Sequence, residues 1–204
     1  MFPNERILRL MAFTAISAVL AGTAWANGTT SGQTINNTAT IGYSVGGVQQ
    51  PDVNSNQASF VVDMLVNLSV AELGGSATVV VPGATGQVTT FTVTNTSNAV
   101  LDFRLLPSQS ADGATTKFGG TDAGTATNVH AYVDNGDNVF NAADDTAIYI
   151  DQLAADGSIK VFLVADMPFG VANGGAIGIT LTAFAASAAN AAQMGSDLVS
   201  TPGA

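Results

Sequence analysis

The sequence predicts an all-β protein, a sandwich or barrel of antiparallel strands, and three observations lead to this prediction. β-Branched and small residues alternate in many short runs past residue 26. Gly, Pro and Asn separate these runs, as they do in proteins whose strands are joined by turns. No run past residue 26 repeats its apolar residues at a convincing helical spacing, and many short strands without helices are typical of sandwiches and barrels.

The predicted strands follow one another along most of the chain. They cover residues 34–45, 58–64, 66–72, 77–81, 87–95, 99–107, 128–134, 146–151, 158–166 and 176–185. Gly46-Gly47 ends the first strand and Pro82-Gly83 ends the fourth, because Pro fixes its own φ and Gly tolerates a positive φ. In the strand 87–95, Phe91 and Val93 alternate with threonines, which predicts a buried face and a face exposed to water.

Residues 1–26 predict a secretory signal peptide rather than a part of the fold. Arg6 and Arg9 precede an apolar run at 10–21, and the small residues of Ala24-Trp25-Ala26 fit a cleavage site. The alternative, a retained membrane anchor, is disfavoured because the apolar run is shorter than the ~20 residues that a spanning helix needs. The sequence therefore predicts a secreted, cell-surface or periplasmic chain without membrane insertion after signal cleavage.

The charge balance of the chain is strongly acidic, with 15 Asp and Glu against 5 Lys and Arg and a net charge of −10. A chain without a basic patch is a poor partner for nucleic acid or for an anionic lipid surface. The sequence has no cysteine, so its core must hold the fold without disulfides. This composition suits a solvated extracellular domain that attracts cations.

The predicted domain division has four parts. They are a signal peptide at 1–26, leading extended strands that pack on the sandwich at 27–64, the sandwich itself at 65–185, and a small-residue tail, or the start of a missing last strand, at 186–204. Residues 107–127 form a connection rich in Gly, Ser, Thr and Asp that is longer than compact domains usually allow. This connection predicts either an excursion from the sandwich or one more strand.

The stretch 66–105, "VNLSVAELGGSATVVVPGATGQVTTFTVTNTSNAVLDFRL", carries a recognisable series of motifs. A strand leads to Val81-Pro82-Gly83, a Thr-rich strand follows at 91–96, and an apolar strand lies at 99–105. This series resembles the Ig-like conserved repeat domain of bacterial and archaeal cell-surface proteins, a family of unknown function. The resemblance implies an Ig-like Greek-key β-sandwich that serves as an exported structural or adhesive module. Such proteins often carry several copies, whereas one clear copy is present here.

The stretch 133–146, "VDNGDNVFNAADDT", concentrates acid in a chain that has few charges. It resembles the calcium loop of dockerins and EF-hands, although Val133 stands where the first acidic ligand belongs and Asn138 stands where Gly is usual. The sequence therefore predicts either a degenerate calcium loop at a hairpin tip or a charged tip that keeps hairpins apart. The candidate calcium ligands are Asp134, Asn135, Asp137, Asn141, Asp144 and Asp145. No other cofactor is predicted.

No catalytic residue is predicted, and we do not expect an enzyme. His130 is the only histidine and lies in a predicted strand, where a packed or surface histidine is commoner than a ligand or a base. Most other aspartates flank turns, where Asp accepts hydrogen bonds from the backbone. Pairs of such carboxylates arise by chance in any acidic β-protein, and no nucleophile motif accompanies them.

Three hypotheses about function follow from the sequence. The first is a non-catalytic surface module whose partners are other surface-protein domains or copies of itself. The second is a filament subunit in which residues 27–45 add a strand to a neighbour's open edge, with pairing inside one chain as the competing arrangement. The third is a glycan- or ligand-binding module, which is disfavoured because Trp25 lies in the signal and the only tyrosines are Tyr43, Tyr132 and Tyr149.

Overall fold

The computed structural model describes residues 28–198 as an all-β molecule, and no helix occurs in that range. The predicted signal peptide at 1–26 lies outside the described residues, as do Asn27 and residues 199–204. The described chain forms an N-terminal two-stranded ribbon followed by two four-stranded antiparallel sheets. The prediction of an all-β sandwich is therefore confirmed.

The ribbon is a long hairpin whose strands pair in nested order. Its strands are β1 (Thr34–Asn37), β2 (Thr40–Ile41), β3 (Ser44–Val45), β4 (Val48–Gln49), β5 (Val53–Asn54) and β6 (Ala58–Val61). β1 pairs with β6, β2 with β5 and β3 with β4, all antiparallel. Gly46 and Gly47 form the tip with φ of 59° and 82°, a region that glycine occupies at little cost. Every strand residue of the ribbon is exposed except Ile35, which is half-buried.

Eight further strands form the sandwich. They are β7 (Leu68–Glu72), β8 (Gln87–Asn95), β9 (Leu101–Gln109), β10 (Thr127–Val133), β11 (Tyr149–Leu153), β12 (Ser158–Asp166), β13 (Ile179–Ala188) and β14 (Met194–Asp197). The first sheet has the order β10-β12-β8-β7, and the second has the order β11-β9-β13-β14.

The strand order is that of an Ig-like Greek-key sandwich, as the sequence predicts. In the lettering of that fold, β7, β8 and β12 take the places of strands A, B and E, while β9, β13 and β14 take those of C, F and G. β10 occupies the place of strand D beside β12, and β11 adds a strand outside β9. The chain therefore passes through the D position before it returns to the second sheet.

The core lies between the two sheets and is built by alternate residues of their strands. Val93 and Val161 from the first sheet meet Leu101 and Phe103 from the second, and all four are almost fully buried. The alternation follows from the pleat, which turns successive side chains to opposite faces. Burial stabilises the fold by ~1.5–3 kcal/mol for each side chain of this size, so the sandwich is held without disulfides.

The predicted strands agree with the structure in most places and fail in one. β8 and β12 have the predicted bounds. The predicted strand at 77–81 is wrong, because the segment lies outside both sheets and its Val79 is 95% exposed. Its valines have strand propensity, but a strand also needs a neighbour and a buried face. The connection after β9 has only isolated bridges, from Thr115 to Thr121 and from Asp122 to Ala176.

The Pro82-Gly83 turn forms as predicted, and the structure gives two reasons for its glycine. Gly83 has a φ of 77°, and a Cβ at this position would collide with the ring of Phe169. The amide of Gly83 also donates a hydrogen bond to the carbonyl of Pro168 at 3.2 Å. The turn is thereby tied to the loop that follows β12.

Candidate functional site

The acidic loop joins the end of β10 to the start of β11. Because β10 belongs to the first sheet and β11 to the second, the loop crosses between sheets, and the predicted hairpin tip is wrong. The amide of Asp134 donates to the carbonyl of Lys160 at 3.1 Å, and the amide of Val133 donates to the carbonyl of Ala147 at 2.8 Å. These two bonds hold the start of the loop against β12 and against its own far end.

Two of the six candidate ligands are buried, Asp134 at 7% exposed and Asp145 at 1%. Oδ1 of Asp145 accepts the amide of Asn135 at 2.9 Å, and its Oδ2 accepts the amide of Asn141 at 2.8 Å. Oδ1 of Asp134 accepts two amides of the first turn, at 3.0 Å and 3.1 Å. A carboxylate tolerates such burial when charge-assisted hydrogen bonds replace water. Both aspartates therefore hold the loop together from inside.

The other four candidate ligands, Asn135, Asp137, Asn141 and Asp144, are exposed. The side-chain oxygens of Asn135, Asp137 and Asn141 each accept the amide two residues ahead, at 3.0, 2.9 and 3.1 Å. These are Asx turns, in which the side chain mimics a backbone turn. Nδ2 of Asn141 also donates to Oδ2 of Asp144 at 2.6 Å. The six predicted ligands thus share one loop, and each has an oxygen engaged within it.

The fit of this loop to a calcium ion depends on how many oxygens can converge on one point, since calcium takes about six to eight oxygen ligands. Here both oxygens of Asp145 and one oxygen each of Asp134 and Asp137 accept backbone amides. Among residues 28–198, no group of three or more His, Cys, Asp or Glu residues is arranged to hold a metal ion. Calcium binding stays one of the two interpretations of this loop that the sequence leaves open.

Two further aspartates are buried and also bind backbone amides. Asp102 accepts the amide of Gln152 at 2.8 Å through Oδ1 and the amide of Gly195 at 2.9 Å through Oδ2. Oδ2 of Asp122 accepts the amide of Gly178 at 2.9 Å. Every buried side-chain nitrogen or oxygen in the described residues has a hydrogen-bond partner. These carboxylates therefore tie together segments of the chain that lie far apart in sequence.

His130 is an exposed residue of the edge strand β10, with its ring centroid 6.2 Å from that of Tyr132. The pKa of Asp166 is lowered from its ordinary value, first by the hydrogen bond from Asn128 and next by the one from the amide of Gly86. The charge of His130 contributes least to this shift. His130 is therefore a surface residue that is not part of a buried cluster.

The single salt bridge among the described residues joins β9 to β14 across β13. Nη2 of Arg104 lies 2.6 Å from Oδ2 of Asp197, and the guanidinium carbon lies 4.2 Å from the ring centroid of Phe184 in β13. The hydrogen bond between the two side chains is the main cause that lowers the pKa of Asp197 and raises the pKa of Arg104. This contact secures the outer strand β14 on its sheet.

The ribbon has a polar face and an apolar face. Side-chain hydrogen bonds of 2.6 to 3.1 Å join three polar cross-strand pairs: Asn36 with Ser59, Thr40 with Asn54, and Ser44 with Gln49. Next to them along the strands stand three apolar pairs: Ile35 with Phe60, Ile41 with Val53, and Val45 with Val48. Neighbouring positions of a strand point to opposite faces.

The apolar face of the ribbon is open to water. Ile41, Val45 and Phe60 are 65%, 61% and 55% exposed. An isolated two-stranded hairpin is marginal in water unless its apolar face is covered.

Asn98 attaches the ribbon to the turn between β8 and β9. Its Nδ2 donates to the carbonyls of Thr29 and Asp63 at 3.1 and 3.0 Å. Its Oδ1 accepts the amide of Leu65 at 2.8 Å, and its backbone carbonyl accepts the amide of Ser31 at 3.1 Å. Both ends of the ribbon therefore meet at one residue, at the end of the sandwich where β8 finishes.

At the other end, the sandwich opens into a cavity of about 900 Å³, which we call the groove. Val70 and Phe91 of the first sheet and Leu181 of the second line its inside. Its rim is formed by three loops at 76–82, 115–119 and 167–178. Among residues 28–198, Glu72 and Lys117 are the only charged residues that line it. The groove is thus a large, mostly uncharged opening between the sheets.

The groove lies at the side of the sandwich where the outer strands β7 and β14 pair over only a few residues. β7 pairs with β8 only at residues 91–95, and β14 pairs with β13 only near its C-terminal end, at Ala186 and Ala188. Within the described part of the chain, residues 87–89 of β8 and 179–183 of β13 therefore have a paired strand on one side only. Such open edges present unpaired backbone groups to any strand that approaches.

Sequence reasoning missed both the groove and the two-faced ribbon. The sequence does contain a pattern that indicates the ribbon. Polar and apolar residues alternate on both sides of Gly46-Gly47, and Asp52 is the only charged residue between residues 28 and 62. No sequence pattern indicates the groove, since the length of an outer strand depends on its tertiary neighbours rather than on local pattern.

No protein-family model, curated protein or solved structure matches this chain. The resemblance to the Ig-like repeat domain therefore rests on the sequence motifs alone. In the part of the chain that the structure describes, no helix has the length and apolar character needed to cross a membrane.

Proposed function

We propose that the chain is a non-catalytic, exported structural or adhesive module of the cell surface, whose partners are copies of itself or other surface domains. The signal-peptide pattern at 1–26 and the acidic, cysteine-free composition support export. The ribbon is the observation that carries the proposal. An exposed arm with one apolar face, fixed to a packed sandwich, is suited to contact with another macromolecule.

The buried carboxylates support the non-catalytic part of the proposal. A catalytic acid or base needs an oxygen within hydrogen-bond reach of a substrate. Asp102, Asp122, Asp134 and Asp145 are buried, and their oxygens bind backbone amides of the same chain. We expect substitution of these residues to reduce stability rather than to abolish a reaction.

Cell fractionation with N-terminal sequencing tests the exported location. We expect a mature chain that begins near Asn27 and is cut by protease added to intact cells or to cells with a permeabilised outer membrane. The matched control lacks residues 2–26 and should remain inside the cell, protected from the protease. A full-length chain that stays in the cytoplasm beside this control would contradict the proposal.

A filament subunit is the second candidate function, and the two-faced ribbon favours it. The apolar pairs of the ribbon would be buried if the ribbon added to the sheet edge of a neighbouring copy. Such addition needs a donor arm and an open edge, and the chain has both.

Deletion of residues 33–62 tests this second candidate. Gly32 and Val62 are joined by a 2.9 Å hydrogen bond, so the cut ends lie close together and β7–β14 can remain intact. We expect the wild-type chain to form large assemblies and the deletion variant to be a folded monomer, measured by light scattering and circular dichroism. The double variant Ser44→Ala with Gln49→Ala alters only the polar face and should still assemble. Equal assembly of the deletion variant would contradict the filament.

A further inference from the structure

The ribbon and the groove lie at opposite ends of the sandwich. The ribbon is fixed by Asn98, just beyond the last residue of β8, whereas Gln87, the first residue of β8, lines the groove. Nine residues in a strand place these two ends roughly 26 Å apart. No residue of the ribbon lines the groove of its own molecule. A contact between them is therefore most simply made by two copies.

We infer that the ribbon of one copy docks into the groove of the next, so that copies assemble head to tail. This inference rests on the proposed filament function and names the two surfaces that meet. Because the donor surface and the acceptor surface differ and lie at opposite ends, the contact is heterologous. A heterologous contact that does not close into a ring continues into a filament.

The two surfaces match in their apolar character. The ribbon exposes Ile41, Val45 and Phe60 on one face, and the half-buried Val80 and Phe91 line the groove. Docking removes both sets of side chains from water, which is the main driving force for protein association. The polar face of the ribbon, with its hydrogen-bonded pairs, stays toward solvent.

The backbone groups of the two surfaces also match. Residues 179–183 of β13 and 87–89 of β8 lack an outer neighbour among the described residues. Each arm of the ribbon pairs with the other arm along its inner edge. The outer edge of each arm therefore presents backbone N–H and C=O groups to an approaching strand. An arm laid beside β13 would extend that sheet by strand addition.

The charge distribution favours contact at these two surfaces. Copies with a net charge of −10 repel each other, so close contact is least costly where charge is absent. Residues 28–62 carry Asp52 alone, and residues 73–101 and 167–196, which supply much of the groove, carry no charge. Other surfaces, such as the acidic loop, would place carboxylates against carboxylates.

A complementation experiment tests the inference with exposed substitutions. The donor-blocked variant is Ile41→Asp with Val45→Asp, and the acceptor-blocked variant is Val79→Asp with Thr180→Asp. All four side chains are exposed, so both variants should fold as the wild type does, which circular dichroism checks. We expect each variant alone to be a monomer. The equimolar mixture should form a 1:1 dimer and grow no further, because it contains one intact ribbon and one intact groove.

The control adds the same charge elsewhere, as Ala142→Asp with Ala143→Asp in the acidic loop, and should assemble like the wild type. A wild-type chain that stays monomeric would overturn both the filament function and this inference. If the wild type assembles but the mixture forms no dimer, the groove contact alone is overturned. The same conclusion follows if the wild type assembles and the acceptor-blocked variant assembles equally well. A monomeric wild type whose groove binds an apolar dye would instead indicate a small-ligand site.

Cross-linking gives an independent readout, since the chain has no cysteine of its own. One protein carries Val48→Cys at the ribbon tip, and the other carries Val80→Cys at the groove. We expect a disulfide-linked heterodimer when the two proteins are mixed under oxidising conditions, and far less cross-linking in either protein alone. Ribbon-to-ribbon cross-links as the main product would overturn the head-to-tail arrangement.

Discussion

Asn98 and Leu65 are joined by two hydrogen bonds. Oδ1 of Asn98 accepts the amide of Leu65 at 2.8 Å, and the carbonyl of Leu65 accepts the amide of Asn98 at 3.3 Å. This pair connects the chain that leaves the ribbon to the turn between β8 and β9. The side chain and the backbone of Asn98 therefore both attach the ribbon to the sandwich.

Substitution Asn98→Ala should loosen the ribbon without unfolding the sandwich. The change removes the three hydrogen bonds of the Asn98 side chain, which join it to Leu65, Thr29 and Asp63. Because these bonds are exposed, we expect a loss of about 1 kcal/mol in the free energy of unfolding. Hydrogen exchange should rise at residues 29–33 and 62–66, while β8 and β12 stay protected. Asn37→Ala, outside this network, is the control and should leave exchange unchanged.

Substitution Asp145→Asn should destabilise the protein more than the same change at Asp144. Asp145 is buried and accepts amides on both oxygens, so the new NH₂ group would face an N–H donor. We expect a loss of about 2 kcal/mol in chemical denaturation, the usual effect of an unsatisfied buried donor. Asp144 is exposed, and its variant should lie within roughly 0.5 kcal/mol of the wild type. Equal effects at the two positions would contradict this role of Asp145.

The sandwich could be predicted from the sequence because its signal is local. The core strands either alternate apolar with polar residues, as β8 does, or carry a short apolar run, as β12 does, and these two strands begin and end where the pattern does. The segment 77–81 has the same local pattern but forms no strand. A strand there would need a neighbouring strand and a buried face, which are tertiary properties that local pattern does not encode.

The composition of the sequence identifies the acidic loop but does not predict the structure of that loop. Acidity alone does not distinguish a carboxylate that binds a cation from one that binds amides. Asp134 and Asp145 look like their exposed neighbours in the sequence, and only the crossing between two sheets buries them. The predicted hairpin failed for the same reason, since β10 finds β12 rather than β11 as its partner.

Calcium should leave the thermal unfolding of the protein unchanged. The carboxylates of the acidic loop are oriented by bonds to amides of the loop, and among residues 28–198 no three of them are arranged around one point. We expect the same Tm in calcium and in chelator, because a ligand stabilises a protein only by binding its folded state. A rise in Tm with calcium that Asp137→Asn and Asp144→Asn together abolish would instead establish the metal site.

Acidification should weaken the attachment of β14 to its sheet. The pKa of Asp197 is lowered in the folded protein, mainly by the hydrogen bond from Arg104. The stability from this pair is therefore present above the ordinary pKa of Asp and is lost as the pH falls through the lowered pKa. NMR titration should show the resonances of Met194–Asp197 shifting in that range. In Asp197→Asn, this step should be absent, and its persistence would contradict the assignment.

Substitution Gly83→Ala should cost more stability than Gly86→Ala. Both glycines have positive φ, 77° and 63°, so both variants bear a backbone cost of about 1–2 kcal/mol. Only at Gly83 would the new methyl group also meet the ring of Phe169, whereas nothing lies near the position at Gly86. Phe169 is 87% exposed, so the ring can swing away, and we expect the extra loss to be about 1 kcal/mol or less. In a Phe169→Ala background the two variants should lose equal stability in chemical denaturation. A difference that survives in this background would show that the ring is not its cause.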